Sequence, residues 1–357
     1  MPVTRDQQFS TPEPGRQPIS WVDRLLTWIE GLPGPPWAYY LASTLLFVVL
    51  GHTLRWQDGS LPAGTFDPYR FVNDSTTVYA LALLQYLRGV ARDSLSTFRP
   101  ALGALESDYQ ILDRKLTTMS PRSALVAAVA GLLLTLLSFR ADPEAWGFTA
   151  TTSFVTSAVT FVQGCLSTVP FFVMIVRVVQ QLRLITEIHR SSSGISLYER
   201  ETHHAFSRLT VRASIGLVLP IYYYSFITYL SQGRLGTMSA VDTGLVAFAF
   251  LISAAAFVLP LNGMHRRLVR EKSRLRNESD RRFEATARRI HQLVDSNAYA
   301  EMGGLNTALS ALTAEKESLK KISTWPWEAE TFRSFLSSIG LPVLLWLITR
   351  FLGRYFS

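Results

Sequence analysis

Cysteine is almost missing from this chain. Cys165 is the single one in 357 residues, so neither an intrachain disulfide nor a cysteine-built metal site can form. Charge is scarce too, at 17% of residues against about a quarter in soluble domains. There is no GxxxxGK[ST] phosphate loop, no HExxH pair and no GxSxG elbow, which leaves enzyme chemistry without its usual signatures. We expect a non-enzyme without cofactor or metal. No lysine and no acid falls in the middle of a predicted span. On sequence grounds this leaves out a Schiff-base lysine and a proton relay. The opening MPVTRDQQFSTPEPGRQPIS lacks the basic start and apolar core of a signal peptide.

Apolar residues fill the space left by charge. They make up 48% of the chain, and the mean hydropathy is +0.17. Six runs approach the ~20 residues that cross a hydrocarbon core: about 37–54, 122–139, 148–176, 210–230, 239–261 and 334–353. The expected fold is therefore an all-α polytopic membrane protein with six spans and helices extended into the cytoplasm. Of the 35 Lys and Arg, eight fall in 55–122, six in 177–212 and fourteen in 262–333. Those alternate connections should be cytoplasmic, with the N-terminal arm outside. The net charge of +8 is explained by orientation without nucleic acid, and favours anionic lipid at the inner face.

Between the spans the chain divides as follows. Residues 1–36 form an extramembrane arm with an interfacial helix, WVDRLLTWIE. Residues 37–261 form a five-span bundle with cytoplasmic helical loops at 55–121 and 177–209. Residues 262–333 form a cytoplasmic helical hairpin, and 334–357 hold the sixth span and a tail. In the hairpin Leu261, Leu268 and Leu275 recur at seven residues, Phe283 and Ile290 follow after a one-residue slip, and Leu305, Leu312 and Leu319 resume the repeat. Such a seam pairs within the hairpin or between copies, as in coiled coils, which suggests a homo-oligomer. Trp325 and Trp327 sit where interfacial anchors are expected.

The candidate site is a polar stripe. Thr149, Ser153, Thr156, Thr160, Gln163 and Ser167 follow at steps of 4, 3, 4, 3 and 4, which places them on one helix face. A lipid-facing stripe would go unsatisfied, so it must face other helices or water. Facing water, it would line a pore with rings of hydroxyls; facing helices, it would be packing. Pro170, Pro220 and Pro260 are candidate hinges. Glu187, His189, Glu199, Glu201, His203 and His204 read as a solvated, charge-paired surface rather than a metal site.

Two segments, HHAFSRLTVRASIGLVL and KKISTWPWEAETFRSFLSSIGLPVLLWLI, resemble stretches that recur in predicted bacterial multi-span membrane proteins of unassigned function. The resemblance implies a bacterial inner-membrane setting and carries no activity or ligand. The expected function is an oligomeric channel with the stripe on its pore and the cytoplasmic helices as its gate. The alternative is a non-conducting transducer or scaffold whose hairpin recruits a partner.

Overall fold

The computed structural model describes residues 19–102, 106–141, 152–191, 204–231, 240–296, 302–327 and 330–338, with 143, 340 and 344. Every regular element among them is helical: α1 (Trp21–Glu30), α2 (Pro36–Asp58), α3 (Pro68–Leu102), α4 (Glu106–Thr117), α5 (Pro121–Ala141), α6 (Phe154–Ser191), α7 (Ser207–Ser231), α8 (Ala240–Asp295) and α9 (Met302–Lys321). Three stretches are long and apolar enough to cross a membrane: Pro36–Asp58, Asp108–Ala141 and Phe154–Ile188. The chain forms two compact units, Met1–Arg88 with Thr117–Arg177 and Gly89–Leu116 with Val178–Ser357.

The first unit is a bundle turned inside out. Leu41, Leu45, Leu46 and Val49 of α2 and Leu125, Val126, Leu133 and Leu137 of α5 point outward and exposed. His52, Arg55, Asp74, Thr160 and Gln163 are buried. In water this arrangement would waste the apolar surface and strand the polar groups; it is compatible with a bilayer as solvent. Alpha-5 packs with its small residues, burying Ala124, Ala127, Gly131 and Thr135 and leaving its leucines outside, as close helix packing in lipid favours.

Helix α3 departs from the expectation for 55–121. Its first half is not a loop outside the bundle but runs antiparallel to α2. Gly59, at φ +73°, ends α2 in the left-handed conformation that glycine adopts without strain, and the chain turns back before Pro68. Ser167 of α6 donates to the Asn73 carbonyl at 2.7 Å. Further along, Tyr40 donates to Gln85 at 2.5 Å, and Arg88 meets Asp23 of α1 at 2.7 Å. From Arg70 to Arg88 a helix rises about 27 Å, close to the thickness of a hydrocarbon core. Val72, Val78, Ala80, Leu83, Leu84 and Leu87 are buried. Neighbours cover these residues, so the stretch is buried without the hydropathy of a lipid-facing span.

Helix α1 also differs from the interfacial turn expected of it. Val22, Leu26 and Ile29 are buried, and Asp23 is clamped. Ser20 caps the helix by accepting from the Asp23 N–H at 3.2 Å and donates to its carboxylate at 2.6 Å. The Met119 N–H, at the entry to α5, donates to the same carboxylate at 2.9 Å. Trp28 stays exposed, so only the outer face of this helix keeps the aspect of a surface element.

In the second unit, α7 and α8 pack through Val211, Val218, Phe257 and Leu261, joined by Phe335. At their contact Ser253 donates to the Ser214 carbonyl at 2.9 Å. Helices α8 and α9 form the expected hairpin. Leu268 and Leu319 are buried on its seam, Lys316 pairs with Asp280 at 2.6 Å, and Lys272 donates to the Ile322 carbonyl at 2.7 Å. The hydrogen bond from Lys316 holds the Asp280 carboxyl below the usual carboxylate range. Trp325 and Trp327 are held by aromatic neighbours. They belong to a stack from His265 (3.8 Å to Trp325) through Trp327 (4.2 Å further) to Phe257 (5.2 Å). The stack, with a 2.9 Å hydrogen bond between His265 Nδ1 and the Thr324 carbonyl, fastens the return end of the hairpin to α8.

Candidate functional site

The stripe on α6 faces other helices of its own chain. Thr156, Thr160, Gln163 and Ser167 are all buried, whereas Ser153 is exposed and Thr149 lies outside the described residues. Alpha-2 takes one side of the seam: Arg55 donates to Thr160 at 3.2 Å, and the Gln163 amide donates to the Phe47 carbonyl at 3.0 Å. Alpha-3 takes the other, through Ser167. Because Ser167 gives its proton to Asn73, Thr77 is the donor in the 3.3 Å contact between their hydroxyls. At the end of the seam Ser153 and Thr156 bond at 3.0 Å, and the Ser153 N–H reaches Asp58 at 3.4 Å. The helical spacing that marks the stripe in sequence thus serves a polar seam shared by three helices.

Sequence reasoning missed the group at the centre of this seam. Asp74 is 1% exposed, and neither of its carboxylate oxygens closes a hydrogen bond, although the side chain of neighbouring Asn73 lies close enough to bear on it. A Cβ placed on Gly51 would lie 3.3 Å from Asp74 Oδ2 and 3.4 Å from Gln163 Oε1. The Asp74 carboxylate and the Gln163 carboxamide, whose Nε2 is 3.5 Å from the same point, therefore converge over the one α2 position that carries no side chain. Leaving a buried polar group unpaired costs about 1–3 kcal/mol, and more for a charge. Asp74 is the acid that hydropathy reading placed in a loop, and it lies at the level of Gly51 and Gln163, inside two membrane-length helices.

Cations stand on the same side of the bundle. Arg55, Arg70 and His52 bear on Asp74 electrostatically, and all three are buried. His52 accepts the Asp67 N–H at Nε2, 3.1 Å away, so its Nδ1 carries the proton given to the Val48 carbonyl at 2.8 Å. The ring is stacked on Phe66 at 5.2 Å. A narrow cleft lined by Phe47, Asp74, Thr77, Gln163, Leu166 and Ser167 opens beside the carboxylate.

The proline candidates lie in continuous helices. Pro170 is buried within α6 directly after the seam, Pro220 is half-buried in α7, and Pro260 is buried in α8. Of the acid–histidine cluster, Glu187 is exposed and His204 half-buried, and 192–203 fall outside the described residues.

No family model matches this chain, and no match is found among curated proteins or solved structures. The reading of the site rests on its geometry.

Proposed function

We propose that the protein is an integral membrane channel whose conducting path runs within each chain, along the polar seam between α2, α3 and α6. The observation that carries this reading is the buried run of charged, amide and hydroxyl groups inside an apolar-surfaced bundle. Intramembrane ionisable groups are costly, and they mark ion or proton pathways. Thr156, Thr160, Gln163 and Ser167 line the path as the stripe suggests, but they face α2 and α3 rather than copies of themselves. The rings of an intersubunit pore would need the stripe exposed. Pro170 sits where the seam gives way to the rest of α6 and serves as the hinge through which the cytoplasmic helices act.

The crossing of α3 raises the six spans to seven and brings the N-terminal arm to the cytoplasmic side. Charge supports this orientation. The connection 59–67 carries no Lys or Arg, and Arg5, Arg16 and Arg24 of the arm join the cation-rich regions 89–121, 177–212 and 262–333. The setting is a bacterial inner membrane with anionic lipid at the inner face, and the chain assembles as a homo-oligomer. The exposed charges of the α8–α9 hairpin, such as Arg274, Arg282 and Glu317, favour a second reading in which the membrane part only anchors a recruiting surface.

Ion and proton flux from liposomes carrying the purified chain separates the two. The channel reading expects flux from the parent and a loss of at least about tenfold in Gln163→Leu, a barrier change of ~1.4 kcal/mol, with assembly unchanged. Absence of flux under varied voltage, tension and pH would leave only the recruiting role.

A further inference from the structure

We propose that Asp74 is a proton-exchange site: a carboxyl that alternates between a protonated form bonded to Gln163 and an ionised form facing the arginines. The inference rests on the seam being a membrane path, and names the ion that the path handles at its centre. Three observations converge. First, both Asp74 oxygens are buried, and the neighbouring Asn73 is the one side-chain hydrogen-bonding group that bears on them, with no partner from another helix closed. Second, Asp74 Oδ2 and Gln163 Oε1 approach the same point over Gly51. Gln163 gives one of its two amide N–H groups to the Phe47 carbonyl, and its Nε2 lies 3.5 Å from that same point. Its oxygen can therefore accept from the protonated acid, and its second N–H is left to donate. Third, the narrow cleft beside the carboxylate is lined by the hydroxyls of Thr77 and Ser167, groups that both donate and accept and so can pass a proton along hydrogen bonds.

The groups around Asp74 fit exchange rather than permanent pairing. Arg70 bears on it from its own helix, and His52 and Arg55 from α2. Helix α6 presents Thr160, Gln163 and Ser167, none of which titrates in this range. Arg55 is engaged with Thr160, and His52 with the Val48 carbonyl and the Asp67 N–H. The arginines give the ionised carboxylate a favourable field, while Gln163 gives the protonated acid an acceptor. Both forms therefore have a partner.

Infrared difference spectroscopy of the protein in lipid nanodiscs tests this. The expected result is one titrating band from a buried, hydrogen-bonded carboxylic acid, converted to carboxylate as pH rises. It should be missing from Asp74→Asn, present in Asp67→Asn, and displaced in frequency and midpoint in Asp74→Glu. A band that survives in Asp74→Asn overturns the proposal. So does the absence of any such band in the parent at every pH, whether or not the Asn variant folds. The result is independent of the flux assay: a titrating Asp74 in a protein that does not conduct would sink the channel reading alone, and flux without the band would sink this one alone.

Discussion

Asp23→Ala is expected to cost the first unit about 3–5 kcal/mol, the range for removing one partner of a buried ion pair. Asp23 is 4% exposed, and its carboxylate gathers three donors: Arg88 at 2.7 Å, the Ser20 hydroxyl at 2.6 Å and the Met119 N–H at 2.9 Å. Alanine strands all three. Arg88 matters most, because its side chain is only 12% exposed and its remaining acid, Glu30, stands 3.7 Å away and half in solvent. The same carboxylate also joins three helices, since Ser20 begins α1, Arg88 belongs to α3 and Met119 leads into α5. Unfolding with denaturant in mixed micelles should show the loss. The double variant Asp23→Leu, Arg88→Met should recover much of it, because two apolar side chains leave no charge unpaired. A single-variant cost below about 1 kcal/mol would mean that the clamp is a surface pair of the kind that contributes little.

The second large effect concerns the contact of α5 with α6. A Cβ on Gly131 would stand 3.0 Å from Val169 Cα and 3.1 Å from the Thr168 carbonyl oxygen. Both are backbone atoms, so no side chain can rotate out of the way and the helices themselves must part. Gly131→Ala should cost about 1–3 kcal/mol by overpacking, and Gly131→Leu should prevent the native bundle from forming. Gly263 of α8 is the control, because nothing lies within 4 Å of its Cβ position. There alanine should be neutral or stabilise by roughly 0.5–1 kcal/mol through helix propensity. Equal effects at the two positions would contradict the close approach of α5 to α6.

Much of this architecture is legible in the sequence, for reasons that differ between elements. The α6 stripe is visible because a buried polar face on a helix must repeat at helical spacing, and the α8–α9 seam is visible because a two-helix contact repeats at seven. Helix α3 is not, since hydropathy detects helices that meet lipid. Asn73, Asp74, Ser75, Thr76 and Thr77 lower the mean of a segment whose neighbours do the shielding. The same low mean hides Asp74, which is buried in a segment of low hydropathy. Gly51 was unremarked for a related reason: a lone glycine in an apolar run signals nothing until the groups over it are known. The stacking of Trp325 and Trp327 on His265 and Phe257 is not legible in sequence, because contact with a distant helix leaves no periodic trace. The stripe of Ala124, Ala127, Gly131 and Thr135 was readable, since small residues at steps of three and four mark a packing face.

The crossing of α3 is the claim on which the seam, the depth of Asp74 and the orientation of the N-terminus all depend. Single cysteines at Ala63 and Ser120, both exposed, placed in a Cys165→Ser background and probed with a membrane-impermeant thiol reagent on intact cells, test it directly. The account predicts that Ala63→Cys is labelled from outside and Ser120→Cys only after the cells are opened. If both are reached only in opened cells, residues 55–121 lie on one side and α3 does not cross.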